Sequence, residues 1–134
     1  MITEERDFAA QQDSTRDMLC SAQQVNGIAM KHSEEGLPND EIIYKATQIF
    51  SALADSTRFK ILASLTAGEL CVCELQEICE VSQSAVSHQL RLLRDINLVR
   101  ARKEGQRAVY RLSDDHVSIL LKVGIEHASE ELAG

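Results

Sequence analysis

Near the C-terminus stand four side chains of the kinds that bind a borderline cation: Asp114, His116, His127 and Glu130. Carboxylate oxygen and imidazole nitrogen are donors that zinc accepts. His127 and Glu130 are spaced i, i+3 and share one face of a helix, so both can reach one ion. Asp114 and His116 stand together at what reads as the start of that helix. His116 and His127, however, are eleven residues apart, about 16 Å at the helical rise. One chain therefore cannot close a four-donor site from this segment. Two antiparallel copies can, with Asp114 and His116 of one beside His127 and Glu130 of the other. A twofold axis then generates two equivalent sites. Gly124 falls between the pairs; it costs a helix about 1 kcal/mol relative to alanine and would let two helices approach closely. Singly, each residue has a plainer reading: Asp114 as a helix cap, Glu130 as a solvated charge, the histidines as surface residues. Only their joint spacing argues for metal.

The cysteines offer a second donor set. Cys71 and Cys73 bracket Val72, and together they could give two thiolates to a soft metal. Cys20, in the N-terminal segment, could add a third. Cys79 falls in line with Leu75 and Ile78 and reads as core, since free cysteine is a common buried residue.

A third group of residues is suited to DNA. Residues 91–111 hold Arg91, Arg94, Arg100, Arg102, Lys103, Arg107 and Arg111 against Asp95 and Glu104, a local charge of +5 in a chain of net charge −7. Residues 1–43 carry −6. A basic segment on an acidic chain is the footprint of a local phosphate-binding surface. Just before it, Gln83, Ser84, Ser87 and His88 are short polar side chains near a helix start, where base edges of a major groove would be read. Arg91, Arg94, Arg100, Arg102, Lys103 and Arg107 are better placed for phosphates. The scarcity of aromatic residues, two tyrosines and three phenylalanines, argues against single-stranded nucleic acid, whose bases stack on exposed rings.

Periodicity supplies the elements that position these groups. Residues 1–39 are polar, acidic and weakly patterned, and read as a flexible N-terminal arm with a short helix around Met18 to Met30. Residues 40–134 read as one domain. Its first helix starts at Asp40, with Ile43, Ala46, Ile49, Phe50 and Leu53 as the apolar face. A second, capped by Asp55 or Ser56, runs through Phe59, Ile61, Leu62 and Leu65 and is closed by Gly68. A third covers Val72 to Glu80, with Leu75, Ile78 and Cys79 inward. Ser82 caps a fourth, Gln83 to Ile96, whose inner face is Val86, Leu90, Leu93 and Ile96, flanked by Ala85 and Leu92. Two strands, Val99–Arg102 and Arg107–Leu112, flank the glycine-bearing turn Lys103-Glu104-Gly105-Gln106. Ser113 or Asp114 caps a last helix to about Leu132, with Val117, Leu120, Leu121, Gly124 and Ile125 as its packing face. Two helices joined by a tight turn, then a basic hairpin, is the order of a winged helix-turn-helix. The predicted fold class is mainly α with a small β-hairpin, dimeric.

Composition sets the outer bounds. The chain has 134 residues, 44% hydrophobic and 26% charged, with one proline and six glycines, which suits a single helical domain better than a β-sandwich. No apolar run approaches the ~20 residues that span a bilayer, and the N-terminus is polar; the expectation is a cytoplasmic protein without a membrane partner. In that reducing compartment four cysteines point to thiolate chemistry or burial rather than disulfides. A zinc hydrolase would need an open metal position, a general base and a cleft. The chain shows no HExxH-type pattern and no glycine-rich catalytic loop, so an enzyme is not expected.

Three motifs carry a family resemblance: Glu69-Leu-Cys71-Val-Cys73-Glu-Leu75, Val81-Ser-Gln-Ser-Ala-Val-Ser-His-Gln-Leu90, and Asp114-x-His116 with His127-x-x-Glu130. Over about residues 40–132 the chain resembles the ArsR/SmtB family of metal-sensing repressors. Ala54-Asp-Ser-Thr-Arg58 matches that family's second-helix signature, except that Ser56 replaces the usual proline. The resemblance implies a dimeric winged helix whose apo form binds double-stranded operator DNA and is released by metal, derepressing efflux or sequestration genes. It implies a zinc site at Asp114 and His116 of one protomer with His127 and Glu130 of the other. It also implies a thiolate site joining Cys71 and Cys73 to an arm of the other protomer, where cadmium, lead, copper or silver would suit. Thiolate-rich members usually carry two arm cysteines; this arm has Cys20 alone, with His32 or Asp17 as substitutes. The alternative is a thiol-based redox or persulfide-sensing repressor that uses Cys71 and Cys73.

Overall fold

A computed structural model describes residues 26–133 of the chain. The chain divides into two compact units, Met1–Asp40 and Glu41–Gly134. In the first, helix α1 (Gly27–Gly36) is capped by Asn26, whose Oδ1 accepts from the amides of Ile28 and Ala29 at 3.1 Å. Asn26 itself has extended backbone, so the helix expected over Met18 to Met30 does not run unbroken to Met30. Met18 to Val25 lie outside the described residues.

The second unit follows the predicted order. Its elements are α2 (Asp40–Leu53), α3 (Ser56–Leu65), β1 (Leu70–Cys71), α4 (Val72–Cys79), α5 (Gln83–Asp95), β2 (Val99–Glu104), β3 (Arg107–Leu112) and α6 (Asp115–Ala133). Ile61, Leu62 and Leu65 of α3, Leu75 and Cys79 of α4, and Val86, Leu90 and Leu93 of α5 meet in one core. Ala52 of α2, with Leu98, Val99, Val117 and Leu121, completes it. These are the i, i+3, i+4 stripes that amphipathic helices bury.

Capping fixes the helix ends. Of the two candidates for α3, Asp55 is the cap: its Oδ2 accepts from the Arg58 amide at 2.9 Å. Ser82 caps α5 by accepting from the Ala85 amide at 3.1 Å. The far end of α5 closes in a Schellman motif. Asn97 takes a left-handed φ of 61°, its amide donates to the Arg94 carbonyl, and the Leu98 amide donates to the Leu93 carbonyl, both at 2.9 Å. Leu93 and Leu98 then pack together in the core, the apolar contact that accompanies this motif.

The sheet has the order β1-β3-β2, all antiparallel. The hairpin turn is Gly105-Gln106, closed by the Glu104–Arg107 pair. Gly105 has φ +64°, which only glycine adopts freely at the first position of a two-residue turn. Strand β1 is not predicted from the sequence. It has two residues, too few for alternation to show, and it exists because β3 offers an edge to Leu70 and Cys71.

Several expected core positions are exposed. Ile78 is 55% exposed, because the eight-residue α4 buries only the narrow stripe of Leu75 and Cys79. On α2 the packed stripe is Ile49, Ala52 and Leu53, so Ile43 and Phe50, which fall off it, face outward. Leu92 is likewise exposed, and Ile96 is only partly buried. On α6 Val117 and Leu121 are buried, one turn apart, while Leu120 joins Ile119 and Val123 on an exposed apolar face and Ile125, one turn after Leu121, is exposed at the edge of the buried stripe.

Candidate metal and nucleic-acid sites

The last helix delivers its donors as the spacing requires. Asp114 precedes α6, and its Oδ1 accepts from the His116 amide at 2.9 Å; of the two candidate caps, Asp114 is therefore the one that binds helix amides. Ser113 is instead buried, its hydroxyl without a hydrogen-bond partner among the described residues. The imidazole Nδ1 of His116 lies 3.6 Å from the same Asp114 oxygen. Both side chains face solvent. At the other end His127 is exposed, its Nε2 3.9 Å from Glu131 Oε1 one turn on, and Glu130 is exposed too. Glu131 is a carboxylate that the i, i+3 reading passes over; the i, i+4 relation to His127 signals it. Among the described residues no three His, Cys, Asp or Glu side chains stand close enough to share one ion. Donor chemistry at the two ends of α6 suits zinc, but one chain brings together only half a set at each end.

Cys71 is built into the fold, whereas Cys73 is exposed. Cys71 is the N-cap of α4 in a capping box with Glu74: the Glu74 carboxylate accepts from the Cys71 amide at 3.0 Å. That bond holds the Glu74 carboxyl below its usual pKa, and Arg107 adds to the effect. Cys71 also pairs with Val109 in β3, and its Sγ accepts from Arg107 Nη1 at 3.8 Å. Burial pushes the Cys79 thiol up, as expected of core. Cys20 and Asp17 lie outside the described residues; His32 sits on α1 and is exposed.

The polar face of α5 is exposed along its length, at Gln83, Ser84, Ser87, His88, Arg91 and Arg94. Gln89, not singled out from sequence, accepts from Arg58 Nη1 at 3.2 Å, and Arg58 Nε donates to the Ala52 carbonyl at 3.1 Å. Arg100, Lys103 and Arg107 are exposed on the hairpin. Arg102 is different. Its guanidinium donates to Glu69, through Nε at 3.1 Å, and lies 3.0 Å from Glu104 through Nη1. The hydrogen bond from Arg102 lowers the Glu69 pKa, and Glu69 raises that of Arg102. A phosphate would have to compete with two carboxylates for this side chain.

A short helix, a three-residue turn, a solvent-facing second helix and a basic antiparallel hairpin define a winged helix-turn-helix regulator. The family model for "Bacterial regulatory protein, arsR family" matches residues 55–101. A cadmium resistance transcriptional regulatory protein CadC homolog of Staphylococcus aureus is 36% identical over 117 residues, 87% of this chain and 95% of that protein. A transcriptional repressor SmtB homolog of Synechocystis is 46% identical over 83 residues, 62% of this chain and 63% of that protein. Among solved structures, the homodimeric winged helix-turn-helix DNA-binding domain Mb0332 of Mycobacterium bovis superposes with a TM-score of 0.65 at 28% identity, covering 72% of this chain and 92% of that one. The chain belongs to the ArsR family of bacterial transcriptional regulators.

Proposed function

We propose that this regulator is a zinc-responsive repressor that binds operator DNA as a homodimer and lets go when zinc ties two α6 helices together. One observation carries the reading. Asp114 with His116, and His127 with Glu130, stand exposed at opposite ends of one helix. Between them Ile119, Leu120 and Val123 form an apolar face uncovered in the single chain. A second antiparallel α6 would cover that face and complete both donor sets. The homodimer described for the Mycobacterium domain supports this.

Asp114 and His116 would hold zinc from one protomer and His127 and Glu130 from the other; bound there, zinc supplies a cross-link between subunits. The two α5 helices project Gln83, Ser84, Ser87 and His88 at base edges, with Arg91, Arg100, Lys103 and Arg107 on phosphates. Dimer geometry sets the spacing of the two α5 helices, and DNA is bound only when that spacing fits successive major grooves. By linkage, DNA must weaken zinc binding as much as zinc weakens DNA binding.

Cys71 and Cys73, with Cys20 from the arm of the other protomer, form a second, softer site; the cadmium resistance named for the Staphylococcus relative supports that choice of ion. No helix among the described residues is long and apolar enough to cross a membrane, in keeping with a cytoplasmic regulator. The test is fluorescence anisotropy of a DNA duplex selected by the protein from a random pool, with and without zinc. The expected loss of affinity corresponds to a coupling of about 1–3 kcal/mol; unchanged affinity removes zinc as the effector. If cysteine alkylation relieves repression while zinc does not, the thiol-sensing reading replaces this one.

A further inference from the structure

The three-stranded sheet has two unlike faces. Leu70, Val99, Tyr110 and Leu112 pack against the main core, and the register puts all four on one side. On the other side Cys71, Val109 and Arg102 are partners in a row across β1, β3 and β2. Alternation brings Arg100, Glu104, Arg107 and Arg111 onto that same side. Val109 stands outside the core cluster, yet it is only 5% exposed. Its cover comes from its own face. The Arg102 guanidinium reaches across the central strand to Glu69, the residue before β1, and so passes over Val109. That row is also the last to span all three strands; beyond it only Lys103 with Ala108 and Glu104 with Arg107 remain paired. A two-stranded ribbon alone is marginally stable, so the tie stands where the free part of the wing begins.

We infer that Arg102 is a positioning residue for DNA binding and not a phosphate ligand. Held by Glu69, it pre-sets the hairpin that carries Lys103 and Arg107 to the DNA backbone. The inference rests on the DNA-binding role alone and on neither metal site. Arg102 Nε and Nη2 both donate to Glu69 Oε2, and Nη1 stands 3.0 Å from Glu104 Oε2. All three nitrogens of the guanidinium are thus engaged, while Arg100, Lys103 and Arg107 are exposed on the same hairpin. Glu69 leads through the two residues of β1 directly into α4, the first helix of the helix-turn-helix. The tie therefore joins the edge strand of the wing to the segment that enters the helix-turn-helix. A hairpin fixed before it meets DNA does not have to be ordered on binding, and pre-organisation of that kind raises affinity without adding a contact. Charge alone predicts the opposite for Glu69, because a carboxylate beside the wing repels phosphate. Removal of Glu69 separates the two readings by sign.

The experiment uses metal-free full-length protein and anisotropy of the selected duplex over a series of salt concentrations. Glu69→Ala should weaken binding about fivefold, the cost of ordering the hairpin on the DNA, although it removes a negative charge. The slope of log affinity against log salt should not change, because the same phosphates are contacted. Arg102→Lys keeps the charge but loses the planar fork; it should weaken binding as much, and the double variant no further. Arg100→Met, which removes a phosphate contact, should instead flatten the slope by about 0.9. Tighter binding and a steeper slope in Glu69→Ala overturn the inference and make Glu69 a mask over a phosphate ligand. Unchanged affinity in both Glu69→Ala and Arg102→Lys, even with a lower urea midpoint, also overturns it and leaves the pair as a contact of the fold alone. A wild-type protein that selects no duplex removes the DNA-binding role, and the inference with it.

Discussion

The Arg58 guanidinium, near the start of α3, donates to Gln89 Oε1 on the recognition helix α5 at 3.2 Å and to the Ala52 carbonyl at the end of α2 at 3.1 Å. One side chain thus ties three helices. Ala52 is buried and Gln89 half-buried, and losing the donor leaves both acceptors unpaired. Arg58→Met should destabilise the fold by about 1–3 kcal/mol, read as a lower urea midpoint at unchanged slope. Arg58→Lys should recover only part of this, because an ammonium lacks the planar fork that reaches two acceptors at once. Equal stability of Arg58→Met and wild type would show the bridge to be incidental.

The Ala54-Asp-Ser-Thr-Arg58 stretch illustrates what the sequence could and could not disclose. Asp55 as a cap follows from residue type and position; the partner of Arg58 does not, because Gln89 is thirty-one residues away and no local rule pairs them. The same division holds elsewhere. The helices of the core domain, the Ser82 cap and the hairpin are set by near neighbours and periodicity. Strand β1, the Glu69–Arg102 pair and the Arg107–Cys71 contact depend on tertiary placement. The exposed Ile78, Phe50 and Leu120 show a different limit. Apolar periodicity marks a face that wants covering without saying whether its cover lies in the same chain. For the metal donors the failure of one chain to assemble them was readable from the helical rise alone.

Ser82 begins the recognition helix, so its cap can be separated from its place near DNA. Ser82→Ala should cost about 1 kcal/mol in unfolding free energy. Ser82→Asp should restore that stability, since a carboxylate caps well and complements the helix dipole. It should nonetheless weaken DNA binding through repulsion of backbone phosphates, steeply so at low salt. If Ser82→Asp binds DNA as tightly as wild type, the start of α5 does not approach phosphate.

The three described cysteines should differ sharply toward alkylation. Cys73 is exposed, while Cys79 is buried in the core with its thiol pushed up by desolvation. Thiolate is the reactive species, so both access and ionisation protect Cys79. Peptide mass spectrometry after brief iodoacetamide treatment of native protein should find Cys73 modified and Cys79 intact. In urea Cys79 should react freely. Rapid modification of native Cys79 would place that thiol outside the core.

Sharing of the α6 donors can be tested by complementation. In His116→Ala homodimers every proposed site lacks one imidazole, and the same is true of His127→Ala homodimers. In a heterodimer the two defects fall on the same site. The His127→Ala chain contributes Asp114 and His116, the His116→Ala chain contributes His127 and Glu130, and one complete site results while the other loses both histidines. Differently tagged chains, co-expressed and purified through both tags, should therefore bind one zinc per dimer by titration, against none tightly held in either homodimer and two in wild type. Zinc should again weaken DNA binding by the heterodimer, though by less than in wild type, because one cross-link holds the dimer where there were two. Heterodimers no better than the homodimers would mean that each chain gathers its donors alone. The helical distance between His116 and His127 forbids that for these residues, so the zinc site would then have to lie elsewhere.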